Sequence, residues 1–190
     1  MSGISLRVVP LNADLLPDFL RFFDGVAFQD NPQWSSCYCQ CFYEDHRTVE
    51  WSKRTAAVNR EAARRRISAQ QMRGYLAYRD DEVVGWCNAA PRRLLGALDA
   101  EPIEDSSEVG TILCFLVTPS HRGQGVATAL LAGACDGFRA QGLRFAEANP
   151  RPGAQGAAAN HFGPLAMYLA SGFVQWRADA DGSVWVRKPL

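Results

Sequence analysis

Cys114-Phe115-Leu116-Val117-Thr118-Pro119-Ser120-His121-Arg122-Gly123-Gln124-Gly125-Val126-Ala127-Thr128-Ala129-Leu130-Leu131 is the stretch on which the fold turns. An apolar run stops at Pro119, a basic glycine-rich turn follows, and an alanine- and leucine-rich segment of helical character begins. A strand that feeds a glycine turn and then a helix leaves a row of backbone N–H groups without intrahelical acceptors, at the positive end of the helix dipole. That arrangement is an anion site suited to phosphate or pyrophosphate. Gly123 and Gly125 allow the backbone to approach a ligand closely, and Arg122 adds a fixed positive charge at the rim. No Gly-Lys-Ser/Thr follows the glycines, so the turn is not a P-loop. With two glycines it is not the dinucleotide fingerprint either.

Outward from this stretch, Gly110 to Thr118 reads as a central strand and Gly125 to Gln141 as its helix, with Gly142 as C-cap. Leu143 to Ala148 is then the next strand, parallel to the first because a crossover helix joins them. Upstream, Arg73 to Ala90 forms a hairpin with its turn at Asp80-Asp81. Leu6 to Val9 is an opening strand. A helix capped by Asn12 or Asp14 runs to Phe23 and buries Leu15, Leu16, Phe19, Leu20 and Phe23. Asp30 to Asp45 is an irregular loop, and Thr48 to about Met72 is helical, with a break near Ile67-Ser68. Downstream, Leu165 to Ala170 is a short helix ended by Ser171-Gly172. Phe173 to Trp176 and Val184 to Arg187 close the chain as a hairpin. The pattern implies an α/β (α+β type) fold with a mixed sheet, in one domain over residues 1–190.

With 47% hydrophobic and 11% aromatic residues, a chain of 190 residues can bury a substantial core. Its 20 basic and 20 acidic side chains balance, which argues against nucleic acid or a membrane surface as partner. The charge is uneven, with Arg60, Arg64, Arg65 and Arg66 clustered and Asp99 to Glu108 acidic. No apolar run is long enough to span a bilayer, and the N-terminal sequence does not read as a signal peptide, so a cytoplasmic location is expected. Six cysteines in a chain of this size do not suggest a disulfide framework, and Cys87 and Cys114 lie in strand-like runs as small hydrophobes. Cys37, Cys39 and Cys41 alternate, so an extended segment would place their sulfurs on one face. No second ligand pair accompanies them, and no metal is expected.

Arg122-Gly123-Gln124-Gly125-Val126-Ala127 closely resembles the pyrophosphate-binding motif Gln/Arg-x-x-Gly-x-Gly/Ala of the GCN5-related N-acetyltransferase (GNAT) superfamily. The preceding Phe-Leu-Val-Thr-Pro and the following Ala-Leu-Leu are similar to that family as well. Ala166-Met167-Tyr168-Leu169-Ala170-Ser171-Gly172-Phe173 resembles its second signature. The resemblance spans Leu6 to Arg187 and implies a mostly antiparallel central sheet of about six to seven strands flanked by helices. It implies acetyl-CoA as co-substrate, no metal, and direct acetyl transfer to an amine. Backbone amides of Gln124, Gly125, Val126, Ala127 and Thr128 would hold the pyrophosphate, beside Arg122 and Gly123. The strand at Phe115, Leu116 and Val117 would hold the pantetheine arm.

The resemblance makes Tyr168 the proton donor to the departing thiolate. Asn160, with His161 beside it, falls near the family asparagine that helps hold pantetheine, although Asn160 stands one residue further from Tyr168 than usual. Many family members carry a glutamate in the central strand, at a position aligned here with Thr111. The candidates for a base are therefore Glu147, an acid in an apolar strand, then Glu108, or water alone. Dimers are common in the family, but nothing in this sequence marks an interface.

The segment Asn31 to His46 holds Trp34, Tyr38, Phe42 and Tyr43, with Trp51 nearby. By position in the family it borders the acceptor, so Trp34, Tyr38 and Phe42 are expected to line its pocket. Asp30, Glu44 or Asp45 would attract a cationic amine. Packing between the helices is the alternative use of these aromatics. Three functions follow: acetylation of a small primary amine, acetylation of a protein lysine or N-terminus, or, on the same fold, non-catalytic acyl-CoA binding or a toxin-type RNA-binding module. Balanced net charge and a closed aromatic loop favour the first.

Overall fold

The computed structural model describes residues 5–99 and 103–190. Part of the acidic stretch, residues 100–102, lies outside the described residues. The centre is β4 (Val109–Val117), whose sequence Val-Gly-Thr-Ile-Leu-Cys-Phe-Leu-Val is almost wholly apolar because both its faces are covered. Helix α3 (Val126–Ala140) leaves the turn after β4 and returns the chain to β5 (Phe145–Ala148), which pairs parallel to β4. Every other pairing in the sheet is antiparallel.

Before β4 come β1 (Leu6–Pro10), β2 (Gly74–Arg79) and β3 (Glu82–Pro91). After β5 come the single turn α4 (Gly156–Ala159), α5 (Leu165–Ala170), β6 (Val174–Ala178) and β7 (Val184–Pro189). The seven strands lie in the order β1-β2-β3-β4-β5-β7-β6, so the mixed, mostly antiparallel sheet is as expected. The closing hairpin folds back so that β7, its second strand, takes the place beside β5.

Two apolar layers cover the sheet. One joins α3 and α5 through Leu130, Leu131, Phe138, Tyr168 and Phe173. The other holds α1 (Leu16–Asp24) and α2 (Ala56–Ser68) against Trp86 and Leu113. Phe19, Phe22 and Phe23 of α1 are buried there, each worth about 1.5–3 kcal/mol over remaining exposed. The helix is entered through a turn capped by Asn12, whose Oδ1 accepts from the amides of Asp14 (2.9 Å) and Leu15 (3.2 Å).

Helix α2 begins at Ala56 and not at Thr48. Thr55 caps it by accepting from the Val58 amide, whereas the Thr48 hydroxyl donates to the Asp45 carbonyl and closes a separate turn. The arginine cluster is used locally. Arg60 pairs with Asp24, Arg64 with Glu61, and Arg66 with Glu44 and Gln40.

One irregularity positions the site. Pairing between β4 and β5 ends at Ile112 and Ala148, yet β3 follows β4 on its other side as far as Val117. The strands therefore part on the β5 side, leaving residues 113–117 with an edge free of strand partners. The chain around α4 lies across this opening, where the Phe115 amide donates to the His161 carbonyl at 2.7 Å.

Candidate functional site

At the end of β4 the chain turns through a short helical bend at Pro119–His121 and reaches Gly123 (φ +70°) and Gly125 (φ +79°). Both φ values lie in the region where a Cβ is strained, and no atom stands within 4 Å of where a Cβ would be at either. Space in front of the turn is open. The first helical hydrogen bond after the turn is donated by Ala129 to the Gly125 carbonyl (2.9 Å), so the amides of Val126, Ala127 and Thr128 precede the bonded ladder of α3. The turn thus presents backbone amides to open space at the positive end of the helix dipole.

This turn forms one wall of a cavity of about 440 Å³ between the parted strands. Of the residues expected to hold a cofactor, Phe115, Leu116, Val117, Arg122, Gly123, Gly125, Val126, Ala127, Thr128 and Asn160 line it. Gln124 does not. Its side chain is spent on the turn, donating to the Ser120 carbonyl (2.8 Å) and accepting from Arg79 (3.0 Å).

Arg122 donates from Nε to the Val117 carbonyl and pairs with Asp30 across the cavity rim. That guanidinium holds the Asp30 carboxyl below its usual range. The Asn160 side-chain amide donates to the carbonyls of Ala154 and Gly156 and so fixes the turn it sits in. The Phe115 amide, expected on the pantetheine arm, is bonded to His161.

A second cavity of about 220 Å³ adjoins the first, sharing Phe28, Trp34, Leu116 and His161 with it. Trp34 and Phe42 line it, with Trp51. Tyr38 does not reach either cavity. With φ +44°, its backbone turns the ring into the core, where it stacks on Phe23 and its hydroxyl donates to Asp24 at 2.6 Å.

The segment is not extended, as the cysteine alternation suggested, but a run of tight turns, with Cys39 also at positive φ (+52°). Cys37, Cys39 and Cys41 nonetheless reach the second cavity, where Cys114 joins them. Burial pushes the Cys37 thiol up to about 12 and Cys41 to about 11, so the thiols stay protonated and neutral. Among the described residues no three His, Cys, Asp or Glu side chains are grouped so as to hold a metal ion.

The acids proposed as acceptor attractants are all paired elsewhere. Asp30 is held by Arg122, Glu44 by Arg54 and Arg66, and Asp45 by Arg47. The two carboxylates expected as bases lie outside both cavities. Glu108 pairs with Arg144 at the surface. Glu147 is fully buried between Arg92 and Arg187 and accepts from the Thr111 hydroxyl at 3.1 Å. Thr111 and Glu147 are register partners on neighbouring strands, so the acid missing at 111 stands one strand away, neutralised by two guanidiniums.

Tyr168 is fully buried, and its hydroxyl donates to the Phe162 carbonyl at 2.6 Å. Desolvation holds that hydroxyl protonated, well above its ordinary pKa. Its oxygen stands just behind Gly163, where a Cβ would come within 3.1 Å of it, and Gly163 faces the first cavity.

His161 is the residue that sequence reasoning left without a role. It borders both cavities, its ring meets Trp34 edge-on (5.3 Å between centroids), and its Nδ1 is 2.8 Å from the Ala158 carbonyl. Its place directly after Asn160 was the available signal. Phe28 also lines both cavities, and nothing in its local sequence marked it.

A family model described as the acetyltransferase (GNAT) family matches residues 31–163 of the chain. No curated protein matches it. Among solved structures, it is similar to yncA from Salmonella typhimurium, solved with its cofactor acetyl-CoA. Identity there is 13%, 97% of this chain and 94% of that one are covered, and the TM-score is 0.57. The PaiA N-acetyltransferase from Thermoplasma acidophilum, in complex with coenzyme A, is 15% identical over 98% and 99% of the chains, with a TM-score of 0.57. A ribosomal-protein-alanine N-acetyltransferase from Brucella melitensis is 16% identical over 97% and 99%, with a TM-score of 0.56.

Proposed function

The chain belongs to the GNAT acetyltransferase family, and we propose that it transfers the acetyl group of acetyl-CoA directly to the primary amine of a small molecule. The observation that carries this reading is the open glycine cradle at the start of α3, facing a cavity that leads into a second one. In this reading the turn from Arg122 to Thr128 receives the pyrophosphate, and the pantetheine arm follows Phe115 to Val117 along the parted strand. The thioester then arrives near the junction of the cavities. Two solved neighbours that carry acetyl-CoA or coenzyme A on the same fold support the choice of cofactor. No step calls for a metal.

Tyr168 lines neither cavity, so to protonate the leaving sulfur its hydroxyl has to turn from the Phe162 carbonyl toward Gly163, where no side chain stands in its way. Glu147 serves the scaffold as the anion between two arginines, and Glu108 is a surface partner of Arg144. The second cavity, at about 220 Å³, is smaller than the roughly 300–1,000 Å³ usual for ligand pockets, which favours a small acceptor over a protein segment. The whole chain of 190 residues is taken as one catalytic domain acting in the cytoplasm. No described helix is long and apolar enough to cross a membrane.

Calorimetric titration with acetyl-CoA tests the reading. Micromolar binding by the native protein, lost in Gly125→Glu, is the expected result. Equal binding by the two proteins removes the cradle from the mechanism.

A further inference from the structure

The acyl-transfer reading leaves two matters open: what takes the proton from the attacking nitrogen, and what kind of amine enters. Both lead to the wall between the two cavities. Neither Glu147 nor Glu108 reaches that wall, and the nearby carboxylate Asp30 is bound to Arg122. His161 does reach it, and it is anchored at two points. Its carbonyl accepts from the Phe115 amide (2.7 Å), which fixes the backbone to the edge of β4. Its Nδ1 lies 2.8 Å from the Ala158 carbonyl. A carbonyl only accepts, so Nδ1 carries the proton and the neutral ring keeps the lone pair on Nε2. Among the described residues no hydrogen bond reaches Nε2.

The second cavity says what the acceptor is like. Phe28, Trp34, Phe42, Trp51 and Leu116 supply flat apolar walls. The polar remainder is Gln33, Ser36 and neutral thiols, and no carboxylate is among the described lining residues. Ring faces can receive one ammonium group. A second positive charge would be buried without an anion, which is costly. The cavity therefore suits an amine with a single nitrogen on a flat apolar body.

We propose that His161 is the general base of this acetyltransferase, and that it acts on an aromatic monoamine seated in the second cavity. This rests on the acyl-transfer reading above. The unprotonated amine attacks the thioester carbonyl carbon. As the C–N bond forms, the nitrogen becomes acidic and its proton passes to Nε2 of His161. The C–S bond breaks, and the sulfur leaves with the bonding pair and takes a proton from Tyr168 or water. The products are the N-acetyl amine and the coenzyme A thiol; His161 returns its proton to solvent, and solvent replaces the proton given to the sulfur.

The groups that face the imidazole set its working range. Burial disfavours its cation most, the Ala158 hydrogen bond opposes this, and Arg151 adds a repulsive field, so the pKa lies below the ordinary 6.5. On the first-cavity side stand His121 and the Asp30–Arg122 pair, and on the second Cys114 with Cys37, Cys39 and Cys41, whose thiols burial keeps protonated. His161 consequently stays neutral, and competent as a base, into mildly acidic solution.

The test uses acetyl-CoA with 2-phenylethylamine as acceptor, spermidine as the polycationic comparison, and the variant His161→Asn. Asparagine can still donate to the Ala158 carbonyl but offers no base at Nε2. The native protein should acetylate 2-phenylethylamine at least about tenfold more efficiently than spermidine, with kcat falling only below about pH 6.5. His161→Asn should lower kcat roughly a hundredfold, abolish that acid limb and leave acetyl-CoA affinity unchanged. Full kcat in the variant, or an acid limb that survives in it, overturns the assignment of the base. Preference for spermidine, or no turnover of 2-phenylethylamine by a protein that binds acetyl-CoA, overturns the acceptor class. Absence of acetyl-CoA binding by the native protein overturns the acyl-transfer reading and this proposal with it.

Discussion

The two adjoining cavities are built from different materials. The first is bounded on one side by main chain: a glycine turn, the unbonded start of α3 and the edge of a strand that has lost its neighbour. The second is walled by side chains drawn from distant parts of the sequence, among them Phe42, Trp51 and Cys114, which the first lacks. A ligand with a fixed phosphate can be met by backbone geometry that many sequences share. An acceptor of individual shape must be met by particular side chains. Substitutions should therefore act all-or-none in the first cavity and by degrees in the second.

The largest effect should come from outside both. Glu147→Ala leaves Arg92 and Arg187 facing each other in the core, and should cost about 3–5 kcal/mol in urea unfolding. Were stability unchanged and only turnover lost, Glu147 would belong to the chemistry and the division between scaffold and site would fail.

Next is Gly125→Glu, which puts a strained, negatively charged side chain into the open cradle at φ +79°. Acetyl-CoA affinity should fall about a hundredfold or more by calorimetry, some 2.8 kcal/mol. Tyr168→Phe should reduce kcat roughly a hundredfold with little change in that affinity. It should also cost about 1 kcal/mol of stability through the lost bond to the Phe162 carbonyl. Retained turnover would make Tyr168 a core residue only.

The smallest effect is expected from Trp51→Ala, which trims one wall of the second cavity alone. The acceptor KM should rise about tenfold, as for loss of an aromatic contact of about 1.4 kcal/mol, with acetyl-CoA affinity unchanged. If both constants moved together, the cavities would not be separable.

Legibility in the sequence followed the same division. The turn at Arg122 to Thr128 could be read because adjacent residues form it: the glycines, the end of β4 and the start of α3 are consecutive. Tyr38 was misplaced because its assignment rested on the segment's position in the family, which does not record that positive φ at Tyr38 and Cys39 turns the ring into the core. Glu147 stood out as an acid in an apolar strand. Its meaning depended on Arg92 and Arg187, which are distant in sequence and meet it only through the sheet. The late start of α2 reflects a competition between the Thr48 and Thr55 hydroxyls that propensity alone does not rank.

The sequence by itself determined the mixed sheet, its crossover helix and the glycine turn between β4 and α3, since each is a local pattern of periodicity, glycine and charge. Only the tertiary structure decided that β7 lies between β5 and β6, that Glu147 is an ion-pair partner, and that His161 stands between the two cavities. Those outcomes depend on which distant side chains share a buried volume, and chain neighbours do not record that.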